Sequence, residues 1–368
     1  MSLARNITLH LPKRLEIGAG AVRKVGEWAA DARRVFVLTT PHTTEFVARL
    51  GLAGEVQVFD AIPGEPDIAC FDAALSAARL ARPDLVVGLG GGSVMDLAKL
   101  VAAMWDGTQS LADVAGPNKV SGRNTRLMQI ATTAGTGSEA GIRALITDPG
   151  KGNKIAVESP HLLADLAVLD PELTFSVPPA VTAATGIDAM AHCVEAFTNK
   201  NAHPVIDGFA RMGIDLVGRY LARAVRDGQD TEAREGMMLA SFYGGICLGP
   251  VNTAAGHALA YPLGTLLHLP HGLANAIIFP HVLAFNESAV PEKTAEVVAA
   301  LGLSGNLLPA AHRFCENLGV EMRLSAHGAA EDQLDRFAAD AHAIRRLMDN
   351  NPRDMSVAEV RAIFQAAY

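Results

Sequence analysis

The sequence DLVVGLGGGSVMDLAKLVAA, residues 84–103, is the clearest indication of the fold class of this chain. An apolar run leads into three glycines, and apolar residues at helical spacing follow, which is the pattern of a strand, a tight turn and a helix. Gly90, Gly91 and Gly92 permit positive φ angles and close approach of the backbone to a ligand, and Ser93 can cap the helix. The N–H groups and the dipole at the start of such a helix favour a pyrophosphate.

The rest of the first half repeats this alternation of short apolar runs with helical segments. The predicted strands are RVFVLT (34–39), EVQVF (55–59), DLVVGL (84–89), LMQIA (127–131) and LAVL (166–169). The predicted helices cover 41–51, 68–81 and 93–105, and ITLHLPKRLEIG near the N-terminus predicts an additional strand or hairpin. This alternation predicts an α/β domain with a Rossmann-like parallel sheet and helices on its faces.

The pattern changes after Pro178 and Pro179. Strand-like runs nearly vanish, and apolar residues recur at helical spacing in 205–220, 231–249, 289–301, 305–318 and 331–348. We therefore expect two domains. Residues 1–178 would form the dinucleotide-binding α/β domain, and residues 179–368 an all-α domain that binds metal and substrate.

A second loop rich in small residues, TTAGTGSEAG (132–141), follows another predicted strand and adds the hydroxyl groups of Thr132, Thr133 and Thr136. Neither loop is specific by itself, and the first is not a GxGxxG motif because Ser93 stands in the place of its third glycine. Two such loops at the ends of consecutive strands predict a nucleotide site, since ligands gather at the carboxyl ends of parallel strands.

Asp96 and Lys99 follow the first loop at helical spacing, and two interpretations of them stay open. They form either a solvated i,i+3 ion pair of small energetic value or a functional pair in which Asp96 lies near the ribose of a nicotinamide cofactor.

Four potential metal ligands occur in two short blocks of the second half. Asp188 and His192 lie in GIDAMAHCVEA, and His257 and His271 in GHALAYPLGTLLHLPHG. On a helix the first two, at i and i+4, project from one face. One carboxylate with three imidazoles suits Zn²⁺ or Fe²⁺, whereas Ca²⁺ and Mg²⁺ prefer shells of oxygen.

The second block contains Pro262, Gly264 and Pro270, which we expect to break the helix and turn the chain back. His268 and His281 lie close to the ligands in sequence, so each is a candidate for supporting a ligand or lining the substrate pocket.

The composition excludes several other classes of protein. With 368 residues, 49% of them hydrophobic and 19% charged, the chain can form two well-packed domains. The formal net charge is −8 with no concentrated basic segment, so we expect no nucleic-acid partner. Four cysteines without CxxC spacing predict reduced thiols. No apolar run reaches the ~20 residues that span a bilayer, so we expect a cytoplasmic protein without a membrane association.

Taken together, these blocks resemble the iron-containing (group III) alcohol dehydrogenase family over nearly the whole chain. The matching motifs are GGGSVMDLAK, TTAGTGSE, SPHLLADLAVLDPELT, GIDAMAHCVEAFTN and GHALAYPLG…LPHGLANAIIFPHVLAFN. The resemblance implies an N-terminal dinucleotide-binding domain and a C-terminal helical domain, the architecture also of dehydroquinate synthases, with substrate and metal in a cleft between the domains. It also implies assembly as a homodimer or a larger homo-oligomer.

The resemblance carries residue roles onto matching positions. It implies that Asp188, His192, His257 and His271 bind Fe²⁺ or Zn²⁺, and that NAD or NADP is the second cofactor. The residues that it places at this cofactor are Gly90, Gly91, Gly92, Ser93, Thr132, Thr133, Thr136 and Lys154. We add Asp96 to these candidates from its spacing after the first loop.

Two positions depart from well-studied members. Where diol-reducing members carry a second histidine four residues after a ligand, this chain has Tyr261, and a phenol is a poorer base than imidazole at neutral pH. Tyr261 and His271 are nevertheless our candidate catalytic residues. At the end of RVFVLT, where NAD-preferring relatives often have Asp, this chain has Thr40, so repulsion of the 2′-phosphate of NADP is removed.

The resulting hypothesis is metal-assisted hydride transfer between a nicotinamide cofactor and a small alcohol, aldehyde or ketone. Three alternatives remain open. Two belong to the same family, a maleylacetate reductase and a hydroxyacid–oxoacid transhydrogenase, and the third is a metal-dependent lyase on a similar fold.

Overall fold

The computed structural model of the protein describes residues 5–150 and 153–368. The chain forms two compact units. One is Leu9–Ser176, and the other is Val177–Tyr368 together with residues 5–8.

The first unit contains the strands of the protein that the structure describes and four α-helices. The strands are β1 (Arg14–Ile17), β2 (Arg34–Leu38), β3 (Glu55–Phe59), β4 (Leu85–Gly90), β5 (Gly116–Pro117), β6 (Arg126–Ala131), β7 (Arg143–Asp148), β8 (Asn153–Glu158) and β9 (Leu166–Leu169). The helices are α1 (Val25–Trp28), α2 (Ile68–Ala81), α3 (Gly92–Met104) and α4 (Leu111–Val114).

Six of these strands form one parallel sheet in the order β1-β9-β6-β4-β2-β3. Strand β4 is buried along its whole length, as expected for a parallel sheet covered on both faces. Apolar residues of α2 and α3 pack on one face, and those of the N-terminal segment around α1 pack on the other. The predicted α/β class is confirmed. The carboxyl ends of β2, β4 and β6 are neighbours, which places the loops after them side by side.

The N-terminal segment supplies a single strand, β1, paired with β9, so the first of the two alternatives predicted for it is confirmed. The structure differs from the sequence-based expectation at two places in this unit. The helix predicted over 41–51 is a 3₁₀ helix, Thr44–Leu50. A small sheet of β5, β8 and β7 was not predicted. Its antiparallel pair, β7 (RALITD) and β8 (NKIAVE), has only three consecutive apolar residues in each strand, a weak signal beside the longer buried strands.

In the second unit every regular element within 177–368 is helical, and all of these residues are described. The α-helices are α5 (Pro179–Thr198), α6 (Pro204–Arg226), α7 (Thr231–Leu248), α8 (Ala255–Leu267), α9 (His271–Asn286), α10 (Pro291–Ala300), α11 (Leu307–Asn317), α12 (Leu334–His342), α13 (Arg345–Met348) and α14 (Val357–Ala366). No helix in the described part of the chain is both long and apolar enough to cross a bilayer.

The chain reverses between α8 and α9 as expected, next to Pro270. Pro262 lies inside α8 and does not end it, so the expectation is wrong for Pro262. The helix ends at Leu267, because His268 adopts the left-handed conformation with φ 57° at the C-cap. Pro270 then precedes the first residue of α9, which is His271. This tight turn carries His271 back toward the helix that bears His257.

Candidate active site

Helix α5 presents three polar side chains on one buried face. Asp188, His192 and Glu195 are spaced i, i+4 and i+7, so that they stand one above another. Their exposed fractions are 2%, 5% and 6%. Ionisable groups are rarely buried to this extent unless they are paired or bind a metal.

Helices α8 and α9 bring two more histidines to Asp188. The distance from Asp188 Oδ1 to His257 Nε2 is 3.5 Å, to His271 Nε2 3.6 Å and to His192 Nε2 4.0 Å. One ligand atom from each of the four residues lies within 4.8 Å of all the others. The structure therefore brings together all four predicted metal ligands, here called the Asp–His cluster.

The chemistry of the Asp–His cluster fits a divalent cation such as Fe²⁺ or Zn²⁺. Nε2 of His257 is buried and has no hydrogen-bond partner among the described residues, although it faces Asp188. A buried nitrogen of this kind is costly unless a ligand satisfies it. One carboxylate and three imidazoles are also the donor set that these two metals accept.

Electrostatics favour positive charge at the centre of the cluster. Burial by itself raises the pKa of Asp188, but His192, His271 and His257 outweigh burial and hold the pKa well below its usual range. Burial likewise lowers the pKa of His257, but Glu195 and Asp188 overcome this and raise the pKa to about 10. A proton therefore occupies the site readily, and a metal ion would compete with that proton.

Glu195 supports this arrangement and was not predicted from the sequence. Its Oε1 lies 2.7 Å from Nδ1 of His257, and its Oε2 accepts hydrogen bonds from the backbone N–H groups of Ala254 and His257. A carboxylate on Nδ1 fixes the tautomer of the ring and leaves Nε2 for the metal. The i, i+4, i+7 spacing of GIDAMAHCVEA is the local signal that places Glu195 on the face of Asp188 and His192.

Asn275 is a second supporting residue that the sequence did not indicate. It lies one turn after His271 on α9, and its Nδ2 donates to Asp188 Oδ1 over 2.7 Å. The same nitrogen lies 3.2 Å from Nε2 of His271. Asn275 thus links the ligand that begins α9 to the ligand on α5.

Tyr261 lies beside the Asp–His cluster. It follows His257 by one turn of α8, and its ring centroid is 6.1 Å from that of His271. Its hydroxyl accepts a hydrogen bond of 3.1 Å from Nη2 of Arg346, which the sequence did not single out. Tyr261 is partly exposed.

The other two histidine candidates do not join the cluster through any contact described in the structure. His268 is exposed and forms the C-cap of α8. His281 is buried, and burial together with the charge of His312 lowers its pKa to about 4. His281 is therefore a neutral residue of the core at neutral pH.

In the first unit, the two small-residue loops meet at the carboxyl edge of the sheet. We call residues 90–93 the first glycine loop and residues 132–141 the second. A Cβ added to Gly91 would lie 3.2 Å from Oγ1 of Thr133, and one added to Gly92 would lie 2.6 Å from Oγ1 of Thr136. The backbone of one loop thus packs directly against threonine side chains of the other.

Two expectations about the first glycine loop are wrong. None of Gly90, Gly91 and Gly92, all of which the structure describes, has a positive φ. Glycine is needed there because a side chain would collide with its neighbours, including Val94 at 2.8 Å from a Cβ on Gly90. Ser93 does not cap α3, since Gly91 occupies the N-cap and the Ser93 hydroxyl donates to the carbonyl of Gly64.

The interpretation of Asp96 and Lys99 as a solvated ion pair is wrong, because Lys99 is only 1% exposed. Its Nζ donates to Ser138 Oγ over 2.8 Å and to the carbonyl of Arg143 over 2.7 Å, and it lies 3.5 Å from Asp96 Oδ1. Ser138 in turn donates to Asp96 Oδ1 over 2.6 Å. The pair ties helix α3 to the second glycine loop.

The remaining candidate cofactor residues lie near the same edge of the sheet. Thr132 is buried at the end of β6, and its N–H donates to the carbonyl of Gly90. Thr40 follows β2, with its Oγ1 2.9 Å from Oγ1 of Thr43. Lys154, on β8, forms an ion pair of 3.2 Å with Glu65. Glu65 follows Gly64, whose carbonyl accepts the hydrogen bond from Ser93 of the first glycine loop.

Comparison with known proteins gives consistent matches along the chain. Residues 12–171 match the family described as "Iron-containing alcohol dehydrogenase", and residues 182–368 match "Fe-containing alcohol dehydrogenase family, C-terminal". The chain is 34% identical over 400 aligned positions to Long-chain-alcohol dehydrogenase 1 of Geobacillus thermodenitrificans (strain NG80-2), covering 100% of this chain and 98% of the relative. It is 31% identical over 376 positions to the NAD-dependent methanol dehydrogenase of Bacillus methanolicus, covering 97% and 98%.

Among solved structures, the chain is similar to a 1,3-propanediol oxidoreductase. The TM-score is 0.94 at 30% sequence identity, and the alignment covers 99% of this chain and 100% of the other.

Proposed function

The chain belongs to the iron-containing alcohol dehydrogenase family, and from this premise we propose that Asp188, His192, His257 and His271 hold its metal. The protein is an oxidoreductase that transfers a hydride between a small alcohol, aldehyde or ketone and a nicotinamide cofactor. The observation that carries the metal assignment is the convergence of the four side chains from α5, α8 and α9 on one buried point.

The residues of the cluster and the cofactors have separate tasks. When bound, the divalent cation supplies positive charge that stabilises an alkoxide and polarises a carbonyl, while the nicotinamide carries the hydride. Asp188 supplies the one negative charge among the ligands. Glu195 holds the tautomer of His257 that leaves Nε2 free to bind.

We assign the transfer of the proton of the substrate hydroxyl to Tyr261. Tyr261 is partly exposed, and its ring contacts that of His271. A hydroxyl at this position can pass a proton between the substrate oxygen and solvent. The hydrogen bond from Arg346 holds Oη in place for this role.

The cofactor in our proposal is NAD or NADP, bound at the two glycine loops by Gly90, Gly91, Gly92, Ser93, Asp96, Thr132, Thr133, Thr136 and Lys154. The contacts between the loops and the N-terminus of α3 support a pyrophosphate there. Thr40 offers no negative charge against a 2′-phosphate, so NADP is accepted alongside NAD. We further propose that the protein is cytoplasmic and assembles as a homodimer or a larger homo-oligomer. Light scattering after size-exclusion chromatography measures the molar mass and so the number of subunits.

The test of the metal assignment is the variant His271→Ala. Loss of one ligand should abolish metal retention and alcohol oxidation, while NAD(P)H binding stays measurable by fluorescence. His268→Asn is the matched control, because it changes a nearby exposed histidine and Asn tolerates the left-handed backbone. Full turnover by a metal-stripped sample would refute the proposal. Stoichiometric formation of NAD(P)H excludes a lyase, which regenerates its cofactor in each turnover.

A further inference from the structure

Arg346 stands next to the candidate proton-transfer residue. Its Nη2 donates to Tyr261 Oη over 3.1 Å, and its guanidinium carbon lies 5.5 Å from the centre of the Tyr261 ring. That ring in turn contacts His271 of the Asp–His cluster, with 6.1 Å between centroids. One aromatic side chain therefore separates a positive charge from the site where the substrate oxygen reacts.

The position of Arg346 is well anchored. The two residues that follow it in α13, Leu347 and Met348, are buried in the core formed with α8 and α9. The Asn350 side chain donates to the carbonyl of Arg346 over 3.1 Å and to that of Thr253 over 2.9 Å. The backbone of Arg346 is thus held beside the segment that leads into α8.

The guanidinium of Arg346 has N–H donors without an acceptor among the residues that the structure describes. Among the residues that the structure describes, no carboxylate forms an ion pair with it, whereas other arginines of the C-terminal helices are paired. These pairs are Arg336 with Asp340, Arg345 with Asp349, Arg353 with Glu359 and Arg361 with Asp335. A guanidinium has five N–H donors in a planar fork that matches a carboxylate, and Tyr261 accepts from one nitrogen only.

We propose that Arg346 makes the enzyme selective for alcohols and aldehydes that carry a carboxylate or a similar anionic group a few bonds away from the reacting carbon. The free donors of the fork bind this anion while the hydroxyl or carbonyl of the substrate reacts at the Asp–His cluster. Because the inference names a substrate class for the proposed dehydrogenase, it rests on that function.

The experiment compares 4-hydroxybutanoate with its neutral analogue 4-hydroxybutanamide, using the metal-loaded enzyme and NAD(P). The wild type should prefer the carboxylate in kcat/KM. In Arg346→Gln, which removes the charge, the carboxylate-to-amide ratio should fall by about tenfold to hundredfold, as for the loss of a charged hydrogen bond. Arg346→Lys should restore part of the ratio. Added salt should also reduce it in the wild type, because the guanidinium is exposed.

Arg345→Gln is the matched control, since it removes the adjacent arginine, whose guanidinium pairs with Asp349 and makes no described contact with Tyr261. Its ratio should equal that of the wild type. A wild type without preference for hydroxy acids of any chain length would overturn the proposal, as would an Arg346→Gln variant that loses both substrates equally.

Failure of the dehydrogenase function itself is a separate outcome. It would appear as no oxidation of any neutral or acidic alcohol. In that case, calorimetry measures the affinity of 4-hydroxybutanoate for the metal-loaded wild type, Arg346→Gln and Arg345→Gln, and these three affinities are compared. Binding that Arg346→Gln weakens while Arg345→Gln does not would support the proposal, and equal or absent binding in all three proteins would reject it.

Discussion

Replacing Glu195 by Gln should weaken metal binding although Glu195 is not itself a proposed ligand. The substitution is nearly isosteric and keeps one oxygen that can accept from Nδ1 of His257. It removes the negative charge, and it replaces the oxygen that accepts from the N–H of Ala254 by an amide nitrogen, which donates and cannot accept. Both changes loosen the ring whose Nε2 we assign to the metal.

The expected magnitude follows from these contacts. A hydrogen bond with a charged acceptor is about twice as strong as a neutral one, and loss of a carboxylate partner of a metal-bound histidine costs about 10–100-fold in metal affinity. This corresponds to about 1.4–2.7 kcal/mol. The change Gly256→Ala should act in the same direction, because its Cβ would lie 2.5 Å from Oε1 of Glu195.

The assay is a competition for Fe²⁺ or Zn²⁺ between the protein and a chromophoric chelator of known affinity. The increase in melting temperature at a fixed metal concentration gives a second measure, because stabilisation by a ligand depends on its affinity. Glu139→Gln is the control, since Glu139 is a buried glutamate of the other unit. Metal affinity of Glu195→Gln within about twofold of the wild type would refute the reasoning about the His257 tautomer.

Three further predictions concern other parts of the molecule. Lys99→Met leaves the acceptors of the second glycine loop without their buried donor, so NAD(P)H affinity measured by fluorescence should fall by about tenfold or more while metal affinity stays unchanged. His281 has a pKa of about 4 in the folded protein against 6.5 for the free side chain, so between these two pH values the unfolded chain binds a proton that the folded chain does not. The free energy of unfolding should therefore decrease by about 3 kcal/mol as the pH is lowered through this window. Urea unfolding of His281→Leu should show a shallower pH dependence there, and parallel curves would contradict burial as the cause. Thr40→Asp should lower the ratio of kcat/KM for NADP to that for NAD, and an unaltered ratio would remove Thr40 from the cofactor site.

Features that depend on neighbouring residues in the sequence were predicted well. The five predicted strands of the first half became strands of one parallel sheet. Four of them are largely apolar and buried, as expected for strands covered on both faces, whereas EVQVF forms the mostly exposed edge strand β3. The i,i+4 spacing of Asp188 and His192 placed both on one face of α5, as helix geometry requires. Two local expectations failed, the conformation of the three glycines and the role of Ser93, since both depended on what packs against them.

Contacts between distant segments could not be obtained in this way. The spacing in GIDAMAHCVEA places Glu195 on the same helix face as Asp188 and His192, but it does not indicate that the carboxylate of Glu195 will contact His257, 62 residues later. Likewise, Arg346 is 85 residues from Tyr261. Lys99 has the spacing of an ordinary surface ion pair, and only packing under the second glycine loop buries it.

From its sequence alone, this chain determined the class of fold, the two glycine loops and the identity of four residues suited to hold a metal. These follow from the fixed periods of strands and helices and from the chemistry of side chains. The tertiary structure decided which orientation each histidine of the Asp–His cluster takes, which charges are buried and which arginine is left with free donors. Those outcomes depend on the packing of α5, α8, α9 and α13 against one another, which no local spacing encodes.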